Sequence, residues 1–261
     1  MKTASLLFVA ALTTALATGC AATPADEATD ESTQAATGRL SSAELARTKA
    51  ALRALANANM GRTDNAAEVR AQVEPLVQKL ARHFGQRPAT AKLPMVEGAW
   101  RQLWTDFPYP MTPFISMDPK QVYQVVDADG HYWNIGDQKA IGFIGMTGVL
   151  RGAFVPNGSK IELRFTNVGF RLGRLSRGQD LVGLADGLES GARHYISLPG
   201  GGKAPNGPVN IEGTLETVYV DGDLRVDIGT QDDFVDASGR VQVEGYGPKI
   251  FVLDRVSTPA K

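Results

Sequence analysis

From Pro94 to the C-terminus, apolar and polar residues alternate with a period of two in short runs that end in turn residues. In the run 160–168, for example, Ile161, Leu163 and Phe165 alternate with polar side chains. Because successive side chains of a strand point to opposite faces, the pattern predicts antiparallel strands with one apolar and one polar face. Eight or nine such strands can be counted, enough for a sheet to close into a barrel whose interior is packed or holds one small apolar ligand.

Turn residues divide this region into hairpins. Four predicted strands pair into two of them, 122–126 with 131–135 and 149–155 with 160–168. A strand through Val209 and Tyr219 is expected to enter another strand by a tight turn at Asp221 and Gly222, and the last strand is expected at Lys249 to Val256. Residues 169–194 and 198–208 do not follow the pattern and are interpreted as lids over a barrel mouth.

Two amphipathic helices are predicted before the strands. Ser41 and Glu44 have the spacing of a capping box, which starts the first helix. The second helix begins near Asn65, and Pro75 is expected to kink or restart it. Its apolar stripe consists of Val69, Val73, Leu76, Val77, Leu80 and Phe84. The fold class is therefore mainly β with N-terminal α-helices (α+β), with the helices over about 41–86 and the barrel over about 95–256.

Residues 1–19 are predicted to be a lipoprotein signal peptide. Lys2 precedes an uncharged apolar run from Ala4 to Ala17, and small residues lead to Cys20. Cys20 is the only cysteine, so the chain cannot form an internal disulfide and its stability must come from burial. Residues 20–39 are predicted to be a disordered tether, because 21–38 include no large apolar side chain. The folded domain is then 40–261.

Thr18, Gly19 and Cys20 resemble the lipobox of bacterial lipoproteins, although Ala17 stands where a leucine is usual. The resemblance implies that Cys20 is acylated, palmitate included, and becomes the first residue of the mature protein. Two or three acyl chains make a lasting membrane anchor. By resemblance to enterobacterial sorting, Ala21 after the cysteine favours the outer membrane, facing the periplasm. Membrane lipid is therefore the first expected partner.

Charge and motif content argue against several other functions. The formal net charge is -1 with both signs interspersed, which disfavours nucleic acid as a partner. His83, His131 and His194 are far apart and have no cysteine partners, so no metal site is predicted. The sequence has neither a phosphate-binding loop nor a Gly-x-Ser-x-Gly motif, and no cofactor is predicted.

Motifs at both ends of the predicted domain resemble the plastid lipid-associated protein or fibrillin (PAP/fibrillin) family. The Asn-Met-Gly-Arg break at 59–62 is followed by a Gly-x-Trp strand at 98–105, and the segments 219–226 and 250–253 resemble the family's final strands, separated here by an insertion at 230–247. The resemblance implies an antiparallel lipocalin-like β-barrel with a two-helix N-terminal extension. It also implies binding or stabilising of hydrophobic small molecules or lipids, such as quinones or carotenoids.

Six residues are candidates for ligand binding. Trp100 and Trp104 are four apart on a predicted strand and are expected to face the barrel interior together, although both could be core residues. Asp223 and Arg225 are two apart and could form a charge pair at the cavity mouth, although a solvated sheet face would also fit. The full set is Trp100, Trp104, Leu215, Tyr219, Asp223 and Arg225.

Three functions follow as hypotheses. The favoured one is a membrane-anchored lipoprotein that binds a hydrophobic small molecule or lipid without catalysis. An enzyme with a site at the barrel mouth, for instance Asp221 and Asp223 with His194, is the first alternative. A structural scaffold with a filled barrel and only protein partners is the second.

Overall fold

The computed structural model describes residues 38–62, 64–107, 115–141, 143–197, 211–235 and 239–256. All of them belong to one compact unit. The predicted signal peptide, Cys20, nearly all of the tether and the 198–208 loop lie outside the described residues. The described helices are α1 (Ser42–Ala58), α2 (Ala66–Phe84), α3 (Ala89–Val96) and α4 (Leu181–Glu189).

The two predicted N-terminal helices are present as α1 and α2. The capping box is confirmed, because the Ser41 side chain accepts a hydrogen bond from the Glu44 backbone while the Glu44 carboxylate accepts one from Ser41. Pro75 lies inside α2, which continues through it, so the predicted restart is wrong. The short helices α3 and α4 were not predicted. None of the described helices is both long and apolar enough to cross a membrane.

The described chain has eleven strands. They are β1 (Gly98–Thr105), β2 (Ile115–Val126), β3 (His131–Ala140), β4 (Ile144–Asn157), β5 (Lys160–Leu172), β6 (Ile196–Ser197), β7 (Glu212–Val220), β8 (Leu224–Gln231), β9 (Phe234–Val235), β10 (Val241–Val243) and β11 (Tyr246–Arg255). Both predicted hairpins are confirmed as β2–β3 and β4–β5, with longer strands than expected. The predicted insertion contains the small β9–β10 hairpin.

Eight of these strands form a closed antiparallel ring in the order β1, β2, β3, β4, β5, β7, β8, β11 and back to β1. The short β6 pairs only with β5. Side chains on the inner face can be identified because Arg225 of β8 reaches Gln124 of β2 although β11 and β1 separate the two strands. Strand register extends the inner face from Gln124 to Trp100, Asn134 and then Leu150.

Three helices cover the outer face of the ring. Helices α1 and α2 pack over β1, β7, β8 and β11, where Val226 and Val252 contribute to the larger buried core. Helix α4 packs over Ala99, Val125 and Trp133 in a second, smaller core. Each of these residues alternates with an inward-facing neighbour, so one strand serves both the interior and the helical layer.

The fourth helix, α3, closes one end of the ring, which we call the helix-capped end. Its Lys92 reaches across the opening and donates hydrogen bonds to the backbone oxygens of Ser159 at 2.6 Å and Thr217 at 2.8 Å. Trp100 donates from Nε1 to the oxygen of Val96 at 2.7 Å. The opposite end, where the β3–β4 turn lies, has no described helix across it. We call it the rim end.

Candidate binding site inside the ring

The two candidate tryptophans do not share a face. A β-bulge interrupts the register of β1 between Gln102 and Trp104, so Trp100 pairs with Arg255 of β11 whereas Trp104 pairs with Val252. Positions 252 and 255 are an odd number of residues apart on a regular stretch of β11, which places them on opposite faces. Trp100 faces inward and Trp104 faces the helical layer, so the predicted joint aromatic surface is wrong.

The interior beside Trp100 is charged rather than apolar. Arg225 and Asp227 are both buried, and Arg225 Nε lies 2.9 Å from Asp227 Oδ2. Thr217 donates to Asp227 at 2.8 Å, and Arg225 donates to Gln124. The Arg225 guanidinium also lies 5.1 Å from the Trp100 ring, within range of a cation–π contact. The inner face at the helix-capped end is therefore a polar core.

Burial is the largest influence on the pKa values of the ionisable groups in this polar core. It raises the pKa of Asp227, although the charge of Arg225 and the hydrogen bond from Thr217 oppose the shift. It lowers the pKa of Lys92, with weaker opposition from Glu216 and Asp227. The cations of Lys92 and Arg225 thus accompany the buried carboxylate of Asp227. Removing the charge of either sign would leave the opposite charge buried without a partner and would destabilise the fold.

The predicted charge pair between Asp223 and Arg225 does not form. Asp223 lies in the turn before β8, where its carboxylate is 2.6 Å from Lys49 Nζ of α1 and 3.2 Å from Arg53. Arg225 points into the ring toward Asp227 instead. Strand β8 begins only at Leu224, so the two residues do not follow one strand alternation.

The other two candidates also separate. A bulge between Thr217 and Tyr219 places Tyr219 opposite Val226, on the outer face, where its ring packs edge-on against Phe84 of α2 with centroids 5.8 Å apart. Leu215 pairs with Ile161 and faces inward. It lines a cavity between α3 and the ring together with Lys92, Val96, Val126, Tyr132 and Arg225. The cavity volume is about 20 Å³, room for one water molecule.

Apolar side chains dominate the inner face toward the rim end. On β4 and β5, three cross-strand pairs follow one another along this face: Leu150 with Val168, Gly148 with Phe170, and Met146 with Leu172. We call these six residues the apolar ladder. Leu150, Val168 and Phe170 are only partly buried, and Leu172 is 68% exposed. The ladder therefore leads from inside the ring to the surface, with the side-chain amide of Gln138 of β3 lying over Gly148 as its polar neighbour.

The ladder ends in an exposed apolar patch at the β3–β4 turn. Phe143 is 78% exposed, Ile141 64% and Ile196, which pairs with Phe170, 54%. We define the apolar rim as Ile141, Phe143, Ile144, Leu172 and Ile196. Single exposed apolar residues are common on protein surfaces, but five at one end of a ring resemble the apolar clusters that mark interaction sites.

The residues of the enzyme alternative are not brought together. His194 lies between α4 and β6, whereas Asp221 and Asp223 lie in the β7–β8 turn at the helix-capped end. Lys49, Tyr219 and backbone amides hydrogen-bond to Asp221, whose pKa is lowered by these bonds although burial opposes the shift. Within the described ranges, no three His, Cys, Asp or Glu side chains could jointly hold a metal ion.

Sequence reasoning missed the ladder because it ended the strand at Val168. Phe170 and Leu172 do not continue the alternation of Ile161, Leu163 and Phe165, because a bulge after Phe165 shifts the inward-facing positions of β5 by one residue. It missed Asp227 because a carboxylate two residues after Arg225 on an exposed strand would have been unremarkable. Only the closure of the ring shows that both side chains point inward.

Comparison with known proteins gives a match to a family model. The PAP_fibrillin family model matches residues 47–235, which include most of α1, all of α2 to α4 and the ring strands except β11. A search of curated proteins found no match to the chain. The predicted closing strand at 250–253 lies beyond the matched range, yet as part of β11 it joins β1 to β8. The family model covers well over half of the sequence, and the chain belongs to the PAP/fibrillin family.

Proposed function

We propose that this protein is a lipid-anchored, non-catalytic binding protein of the bacterial envelope, with a lipocalin-like barrel that takes the apolar part of a lipid or other hydrophobic small molecule along its apolar ladder. Family membership supports a lipid-associated structural or binding role. The anchor is Cys20, for which the sequence of residues 1–20 is the support. Outer-membrane attachment facing the periplasm is part of the same proposal.

The accessibility of the ladder residues favours the ladder as the binding surface. Its inward-facing residues Leu150, Val168 and Phe170 are only partly buried, although they lie on the inner face of a closed ring. Apolar surface that remains accessible there would gain about 25 cal/mol per Å² when an apolar ligand covers it. Aliphatic and aromatic side chains of this kind line most small-molecule sites.

The helix-capped end is a poor place for the same ligand. Its cavity of about 20 Å³ is far below the roughly 300 Å³ at which drug-sized ligand sites begin. Inserting an acyl or isoprenoid chain there would also place it against the charges of Arg225 and Asp227. The ligand therefore extends outward along β4 and β5 rather than into the polar core.

Lipid analysis of the purified protein tests this proposal. The full chain is purified from envelopes in mild detergent, washed, and extracted for mass spectrometry. A Val168→Thr, Phe170→Ser double variant replaces two apolar ladder side chains by hydroxyl-bearing ones, and should lose most co-purifying apolar molecules. The matched control is Val155→Thr with Val241→Ser, two exposed residues away from the ladder. Equal lipid content in both variants would remove the ladder from the proposal.

A separate experiment tests the anchor. Metabolic labelling with an alkyne analogue of palmitate should mark the wild-type chain and should fail to mark Cys20→Ser. Label on the Cys20→Ser chain would contradict the lipobox assignment without bearing on the ladder.

A scaffold without ligand is the second candidate, and the filled helix-capped end favours it. It predicts that the wild-type protein carries no apolar molecule after extraction and that the ladder variants bind the same protein partners as the wild type. Mass spectrometry of the extract therefore separates the two functions.

A further inference from the structure

We propose that the apolar rim docks on the surface of an anionic lipid bilayer, as a second membrane contact beyond acylated Cys20. The inference rests on the proposed function only in that Cys20 holds the chain near a membrane. The rim residues Ile141, Phe143 and Leu172 are the three most exposed large apolar side chains among the described residues. Burying them in the headgroup region would remove this surface from water.

The backbone of the β3–β4 turn is strained in a way that presents this surface. Ile141 has a φ of 52°, the left-handed region that β-branched residues rarely adopt. The Phe143 amide donates to the Ala140 oxygen at 3.2 Å, and the Gly173 amide donates to the Gly145 oxygen at 3.0 Å. The turn is thus bound to the end of β5, and strain of this kind is concentrated at functional sites.

Cations surround the rim on its outer side. Arg174 packs over Gly145, with its guanidinium 2.6 Å from Asp118 and 3.1 Å from Asp137. Lys139 of β3 is exposed, whereas Arg171 of β5 is half-buried and its Nη1 is shielded from solvent. Neither side chain forms an ion pair with any described residue. An apolar tip with a cationic collar is the charge pattern that anionic headgroups attract.

The same charges argue against a second copy of the chain as the occupant. Two rims packed face to face by twofold symmetry would bring Lys139 and Arg171 of both copies close together, while the nearby Asp118 and Asp137 are already paired with Arg174. Like charges held at short distance across an interface disfavour association. An anionic bilayer has no such conflict, because its headgroups neutralise the collar.

Chain length permits both contacts at once. The folded part begins near the C-terminal end of α2, where the Leu40 amide donates to His83 Nδ1 at 3.0 Å. Residues 20–37 could span at most roughly 60 Å, whereas the 13 residues of β5 rise about 43 Å from the helix-capped end to the rim. A chain anchored at Cys20 is therefore long enough for the rim to reach the same bilayer.

Fluorescence quenching in vesicles tests the docking. Because Cys20 is the only native cysteine and is acylated in the proposed mature form, a Phe143→Cys variant can be labelled at one site with NBD, an environment-sensitive fluorophore. The full lipidated chain is reconstituted into phosphatidylcholine vesicles with phosphatidylglycerol, with or without brominated acyl chains. Val155→Cys, exposed at the opposite end of β4, is the matched control.

Brominated lipid should quench the probe at position 143 by about twofold and leave the probe at 155 almost unchanged, as expected for a rim within the acyl boundary. Replacing phosphatidylglycerol by phosphatidylcholine, or introducing Lys139→Ser with Arg171→Ser, should reduce the quenching. Each removed cation lowers the apparent binding constant about fivefold. Lys160→Ser, an exposed cation at the helix-capped end, should have no effect.

Two results would overturn the inference. One is equal quenching, or none, at positions 143 and 155 in vesicles that carry the protein. The other is a blue shift at 143 that grows with protein concentration in the absence of lipid, which would assign the rim to a second copy. If mass spectrometry finds no lipid on Cys20 but brominated vesicles still quench the 143 probe, the anchor fails while the rim contact stands.

Discussion

The two ends of the ring are built from the same strands but differ in polarity and in burial. At the helix-capped end, α3 covers an interior that contains a buried ion pair, a buried lysine and a cavity of one-water size. At the rim end, the inner face of β4 and β5 is apolar, partly accessible and continuous with exposed side chains. Ring closure does not by itself create a hollow, apolar interior, and the interior of this ring changes from polar to apolar along its axis.

Removal of one charge from the polar core should have the largest effect on the difference between the two ends. Asp227→Ala leaves the buried Arg225 without its partner, so the free energy of unfolding should fall by about 3 to 5 kcal/mol. The Arg225→Met, Asp227→Leu double variant should recover most of this loss, because neither charge remains buried. Urea denaturation followed by circular dichroism measures both. A loss below about 1 kcal/mol in Asp227→Ala would mean that this end of the ring is open to water.

The tryptophan pair distinguishes the inner face from the outer one. Trp100→Phe removes the donor to the buried oxygen of Val96, whereas Trp104 Nε1 has no hydrogen-bond partner among the described residues. Trp100→Phe should therefore destabilise the protein more than Trp104→Phe, by a difference of about 1 to 2 kcal/mol. Thermal unfolding of the two single variants gives the difference. Equal losses would contradict the closure of this end by α3.

The pH dependence of stability should also arise at the helix-capped end. Burial, followed by repulsion from Asp186 and Asp129, raises the pKa of Asp127 in the β2–β3 turn to about 6. The folded state then binds this proton more tightly than the unfolded state, so stability is lost as pH rises from about 4 to about 6. Asp127→Asn should reduce the loss of unfolding free energy across this pH range by about 1 kcal/mol, a value that allows for solvent screening. An unchanged slope in urea titrations at pH 4 to 7 would exclude Asp127 as its source.

The smallest effect is expected at the rim. Ile141→Asn replaces a β-branched residue at positive φ by one that tolerates this conformation, so the variant should be more stable by about 0.5 to 1 kcal/mol. It should at the same time dock less well on anionic vesicles, because the rim loses an apolar side chain. Stability is read from thermal unfolding and docking from vesicle flotation. A variant that loses stability would show that the Ile141 side chain stabilises the fold by packing, rather than being held exposed for contact with lipid.

Much of the ring could be predicted because strand alternation is a local signal. The β2–β3 and β4–β5 hairpins and the Gly98–Thr105 strand follow from residues that are close in sequence. The bulges after Gln102 and Thr217 could not be predicted, since an extra residue in one strand is defined only by its neighbour. These two bulges account for the wrong faces assigned to Trp104 and Tyr219.

The polar core was hidden for a different reason. Arg225 and Asp227 are charged residues on an alternating strand, which is the usual signature of a solvent-facing side. Helix α3 was missed because it has only eight residues and includes Pro94, so no helical period could be read. Since α3 and the ion pair together fill the helix-capped end, the sequence alone suggested more empty space than the structure has.

Photocrosslinking tests most directly whether apolar ligands occupy the ladder rather than the helix-capped end. The purified chain is irradiated with a palmitate analogue whose chain carries a terminal diazirine, and the adducts are located by peptide mass spectrometry. We predict adducts within residues 144–150 and 168–172, the strands of the apolar ladder. Adducts confined to α3, or an absence of adducts at saturating ligand, would contradict the proposed site.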